Sequence, residues 1–155
     1  MQLSIRIEGV PEVTQSLHNI VARGPNEARI MLDRLATETK GRMRGEAPYK
    51  TGALSKSITV TVPDTFTRVI EPMATNARPG NPYGKPVETG SRPGYMPNVF
   101  SISQYFGVDM KIAFAIAKSI QQRGTPANPF VSRTYNWIES AVSSHAFSFL
   151  NNLVH

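Results

Sequence analysis

The chain has 155 residues, 40% of them hydrophobic and 18% charged, with a formal net charge of +6 and a sequence pI near 9.9. That length and apolar content suit one globular domain, 1–155, with a real core, and exclude a disordered chain. The absence of cysteine excludes a disulfide framework, a thiolate zinc site and a cysteine nucleophile. The surplus of cations suits a polyanion or an acidic protein surface as partner.

The opening Met1-Gln2-Leu3-Ser4-Ile5-Arg6 lacks the basic-then-apolar order of a signal peptide. No run of about 18 apolar residues is present, so no membrane partner is expected. Leu3, Ile5 and Ile7 alternate with polar residues as in a short half-buried strand. Pro11 suits the first turn of a helix. Val13, Leu17, Ile20 and Val21 follow at helical spacing, and Gly24-Pro25 reads as the stop. A second helix is expected from Asn26 to Gly45, with Met31, Leu32, Leu35, Ala36, Thr39 and Met43 on one face. Lys40, Arg42 and Arg44 in its last turn complement the negative end of the helix dipole.

Pro48 disfavours helix before it, and Gly52 permits positive φ, so this segment turns a corner from helix to strand. Ser57 to Val62 then alternates as a strand, Pro63-Asp64 reads as a turn, and Phe66 to Ile70 as the partner strand. From Pro72 to Pro97 prolines and glycines replace any periodicity, which predicts a long loop that is either functional or loosely ordered. Phe100 to Phe106 is ambiguous. Gly107 to Arg123 reads as a helix apolar nearly all round, ended by Gly124, and Asn128-Pro129 opens a last helix. The patterns sum to an α+β fold: a small antiparallel sheet with a long helix on it, the Pro/Gly-rich loop, and C-terminal helices.

Catalytic motifs are missing. His18, His145 and His155 have no metal-ligand spacing, and there is no HExxH, GxSxG, Walker-type or GxGxxG pattern. The expectation is a protein that is not an enzyme and carries no cofactor.

Three short blocks in order carry a resemblance. Ala47-Pro48, Thr51-Gly52, Leu54 and Ser57-Ile58 form the first, Tyr83-Gly84-Lys85-Pro86-Val87-Glu88-Thr89-Gly90 the second, and Ala127-Asn128-Pro129-Phe130-Val131 the third. Together they resemble the minor tail-component family of long-tailed bacteriophages, also called neck or tail-completion proteins. The likeness covers about Val10 to Val142, with Lys50 where the family usually has Asp and Ser91 where it has Thr. Pro93 to Arg123 is longer than in the shorter members.

The resemblance implies a virion protein made in the host cytoplasm and placed at the head–tail neck. It implies a ring, of six by tail symmetry or of twelve on the head side, in contact with neighbouring connector and tail proteins. Pro48, Thr51, Gly52, Leu54 and Ser57 are the expected structural corner. Arg78, Tyr83, Glu88, Arg92, Ile112 and Ile116 are the candidate subunit interface, with Glu88 expected to pair with Arg78 or Arg92 of a neighbour. Replacing Ile116 by Asp is expected to abolish assembly if it is a contact, or to unfold the subunit if it is intramolecular core. The alternative is a basic, non-catalytic DNA-binding or DNA-packaging accessory protein. It would contact phosphates non-specifically through Arg42, Arg44, Lys50 and Lys56, with Arg29 on the same stripe.

Overall fold

The computed structural model describes residues 10–48, 52–75 and 82–154. Among them six helices accompany one two-stranded antiparallel sheet, an α+β architecture. The expected strand at Leu3 to Ile7 lies outside the described residues, as do Tyr49, Lys50, Thr51 and Arg78. Contacts group the chain into two compact units, 1–42 with 59–71 and 134–155, and 43–58 with 72–133.

The first helix corrects the sequence reading. α1 runs unbroken from Val10 to Glu46 and carries Pro25 inside it. The stop signal failed because a proline removes one intrahelical hydrogen bond and crowds one carbonyl, a cost of about 3 kcal/mol, without making helical φ inaccessible. Nothing lies within 4 Å of the space a side chain would take at Gly24, so the turn before the proline has room to adjust. The amphipathic stripe is where the pattern put it. Ala36, Thr39 and Met43 are buried, and Met31, Leu32 and Leu35 are half-buried.

β1 (Ile58–Asp64) pairs with β2 (Thr67–Pro72), and all but their outer ends, Ile58 and Pro72, belong to the first unit. Side chains of β2 alternate strictly between exposed and half-buried, the mark of a sheet with one face covered. The turn falls at Thr65-Phe66 rather than Pro63-Asp64. In a two-stranded sheet every strand is an edge, so Pro63 costs no ladder bond on its outer side. The Asp64 carboxylate instead accepts from the Phe66 N–H at 2.8 Å and closes the turn. The Thr67 hydroxyl and then the Phe66 N–H hold that carboxyl below its ordinary pKa.

The helix is tied to the sheet by one arginine. Arg68 of β2 is 6% exposed in its side chain and places Nε 2.7 Å from Asp33 of α1. Its Nη1 donates to the carbonyls of Asp64, Thr65 and Thr67, so one guanidinium holds both the hairpin turn and the helix. In the same unit Glu38 of α1 meets His145 of α6 (Phe130–Val154) at 3.0 Å.

The second unit is built of short helices: α2 (Ala53–Lys56), α3 (Gly84–Thr89), α4 (Val99–Phe106) and α5 (Met110–Arg123). Gly107 ends α4, and Asp109 caps α5 by accepting from the N–H groups of Lys111 and Ile112. The two axes meet at 114°. Ile102, Ala113 and Ala117 are buried between these helices, with Met96, Val99, Val108, Ile116 and Ile120 packed around them. Small alanines on α5 allow the close approach, and Ile102 fills it. Phe130 and Ile58 are the largest fully buried apolar side chains of this unit.

Candidate functional site

The corner is a compact turn of helix. Gly52 is buried and takes φ 70°, ψ 1°, a conformation that side-chain-bearing residues adopt at a cost. Its carbonyl accepts from the Lys56 N–H at 2.8 Å, which starts α2. Leu54 is buried at 4% exposure, and the Ser57 hydroxyl donates to the Leu54 carbonyl at 2.7 Å. Pro48 is exposed. The Ser57 carbonyl in turn accepts from the Met73 N–H, pinning the end of the hairpin to the corner. Gly52, Leu54 and Ser57 therefore serve the fold, through backbone conformation, apolar burial and a side-chain hydrogen bond respectively.

The Pro/Gly-rich stretch is not a structureless loop where it is described. Its described part contains α3 and is bonded to the rest of the chain at several points. Tyr83 is half-buried, its N–H donating to the Ala74 carbonyl, and the Val87 carbonyl accepts from the Asn128 N–H. Gly84 is buried so tightly that an added Cβ would stand 2.8 Å from Pro72 Cγ. Farther on, Ser91 and Thr125 form a reciprocal bridge. Each N–H donates to the other's carbonyl at 3.2 Å and to the other's hydroxyl oxygen at 3.0 Å, and the hydroxyls meet at 2.8 Å.

Glu88 corrects an expectation. Its carboxylate faces inward along its own chain, to the start of α6. Pro129 precedes that helix and has no side-chain oxygen with which to cap it. Glu88 supplies the missing acceptors: the Val131 N–H at 2.8 Å, the Ser132 N–H at 2.9 Å and the Ser132 hydroxyl at 2.6 Å. A carboxylate there also meets the positive end of the helix dipole. Partial burial pushes the carboxyl pKa up, but the bonds from Ser132 and Val131 and the charge of Arg133 outweigh it, and the net shift is downward. Beside it Arg133 holds Glu46 at 2.7 Å and also donates to the Glu46 carbonyl and to Asn128.

A depressed carboxyl pKa stabilises the fold above the ordinary glutamate value of 4.5, and that stability is lost as pH falls through the lower folded value. Glu88→Ala should therefore cost about 1–2 kcal/mol at neutral pH, the range for a lost helix cap with a charged acceptor. It should also flatten the dependence of stability on pH below about 5. Denaturant unfolding followed across pH 3 to 7 checks both.

The other candidates are placed apart. Arg92 is exposed. Ile112 is half-exposed on α5, whereas Ile116 is turned toward the Ile102–Ala113–Ala117 cluster and belongs to the core. Of the basic stripe, Arg29 is engaged by Asp33 and Asn26, and Arg44 donates to the Ile58 carbonyl. Arg42 and Lys56 are exposed.

The helix read as apolar nearly all round does leave large apolar side chains in water, and what the sequence reading did not give is their continuation onto α4. Phe100, Tyr105 and Phe106 of α4 and Met110, Ile112 and Phe114 of α5 are each 49–59% exposed. Tyr105 and Phe106 stack edge to face with centroids 5.0 Å apart. The signal was the density of large apolar residues from 99 to 114, nine of sixteen, too many for one small cluster to cover.

Among the described residues no three His, Asp or Glu side chains converge to hold a metal ion. No single described helix is long and apolar enough to cross a membrane. An open groove of about 380 Å³ on α1 is lined by Ile30, Asp33, Arg34, Thr37 and Glu38, but its two acids already serve Arg68, Arg29 and His145. No protein-family model, curated protein or solved structure matches this chain.

Proposed function

We propose that this chain is a structural virion protein of a bacteriophage neck or tail. It forms a ring of like subunits at the head–tail junction and completes or joins the tail, with no catalytic step of its own. The observation that carries the reading is the α4–α5 hairpin. Six large apolar side chains there stand about half in water. At about 100 Å² each, half the area such side chains bury in a core, they expose on the order of 600 Å². That approaches the roughly 800 Å² each partner contributes to a stable interface, and large exposed apolar area of this kind marks association. The resemblance at the corner, the Tyr83–Gly90 block and the α6 opening supplies the kind of assembly.

Negative-stain imaging and native mass measurement of the purified protein test it. Closed rings of six, or of twelve, are the expected result, and antibody against the chain should label virions at the neck. Its absence from purified particles would refute the reading.

A further inference from the structure

We infer that the outward face of α5 docks on the outward face of α6 in a second copy of the chain. This rests on the assembly reading above and names the surfaces that would make it. On α5, Ala113, Ile116, Ala117 and Ile120 face the core. The opposite side presents Lys111, Phe114 and Lys118, three and four residues apart and therefore on one stripe, all exposed. Within Val99–Arg123 the acid is Asp109, already spent on capping its own helix. The stripe is thus an aromatic ring flanked by two cations.

α6 presents the converse. Tyr135, Glu139 and Val142, four and three residues apart, form one exposed stripe. Residues 134–154 contain Glu139 and no lysine or arginine. This stripe is an acid flanked by apolar groups. Laid against α5 with Phe114 on Tyr135 or Val142, Glu139 falls about one turn away, level with one of the two lysines, Lys111 or Lys118 according to the direction of the pairing.

The charge pattern selects the occupant. Two α5 faces brought together would oppose four lysines, so a two-fold contact of α5 with itself is disfavoured. α5 on α6 is a contact between different faces, the type that generates a ring when its rotation closes and an open filament when it does not. DNA or an anionic lipid surface would engage the lysines but would leave the acidic, apolar face of α6 uncovered.

The test is a charge exchange read by sedimentation velocity at fixed concentration, with circular dichroism to confirm that each variant is folded. All three positions are exposed. Glu139→Lys and the pair Lys111→Glu with Lys118→Glu should each weaken association at least tenfold. The triple exchange should return it to within about threefold of wild type, because opposite charges again face each other. Variants that assemble like wild type would overturn the docking while leaving the ring standing. Loss in both without rescue in the triple would overturn the pairing. A wild-type protein that never assembles would remove the ring reading as well. Wild-type flotation with phosphatidylglycerol vesicles, abolished in the lysine pair, would make α5 a lipid face instead.

Discussion

Gly124→Ala should lower stability by about 3 kcal/mol or more, one of the largest losses expected from any single methyl group added to this chain. Gly124 takes φ 75°, ψ −164°, a region in which side-chain-bearing residues cost about 1–3 kcal/mol. The added Cβ would also collide with the backbone carbonyl of Ser91, which is held in place by the Thr125 N–H. Neither atom can yield without breaking the bridge. Gly90 has the matching conformation, φ 74°, ψ 175°, and its Cβ would stand 2.5 Å from the Thr125 carbonyl. Each half of the bridge is thus preceded by a glycine that lets the other half approach. At roughly 2–4 °C per kcal/mol for a chain of this size, thermal melting of Gly124→Ala should fall by about 10 °C. Ser91→Ala, which removes the hydroxyl bonds but adds no clash, should lose only about 1 kcal/mol. A Gly124→Ala melting point equal to wild type would mean that the bridge does not support the fold.

Ile116→Asp should unfold the α4–α5 hairpin. The sequence left Ile116 either at a subunit contact or in the intramolecular core, and the structure packs it against Ile102, Ala113 and Ala117. A carboxylate there forfeits the apolar contact and is desolvated without a partner, together about 3 kcal/mol. Helical ellipticity should drop and denaturant unfolding should shift to lower midpoint. Phe114→Asp is the control. Phe114 is 51% exposed, so the subunit should stay folded while association is lost. If Ile116→Asp were folded and merely monomeric, the packing assigned to it would be wrong.

Periodicity made the framework readable. The alternation in β2 and the Ala36, Thr39, Met43 stripe of α1 are local patterns, and both lie where the residues put them. The opening of α6 after Asn128-Pro129 was equally plain. What could not be read is decided at long range. Gly24-Pro25 carries a stop signal that α1 overrides. α3 has only six residues, too few to show a helical period, and bonds to Asn128, Val131 and Ser132 hold it. Glu88 looked like a lone acid in a basic loop because its partners lie over 40 residues away. α4 was left ambiguous because its eight residues are too few to show a clear period, and Asp109, the cap of α5, was read as lying inside a helix that began at Gly107.

The Ser91–Thr125 bridge has a consequence for how the chain can change. The backbone leaves at residue 91 and comes back to the same point at 125, and α4 and α5 lie wholly within that excursion. Whatever is strung between two joined ends does not alter where those ends are. Doubling the length of such a span adds only about 0.6 kcal/mol of closure entropy. The stretch is therefore a cassette: it can be shortened, lengthened or exchanged for one with a different outer face while Gly90-Ser91 and Gly124-Thr125 keep the socket unchanged. A new partner could be acquired by rewriting residues 92–123 alone.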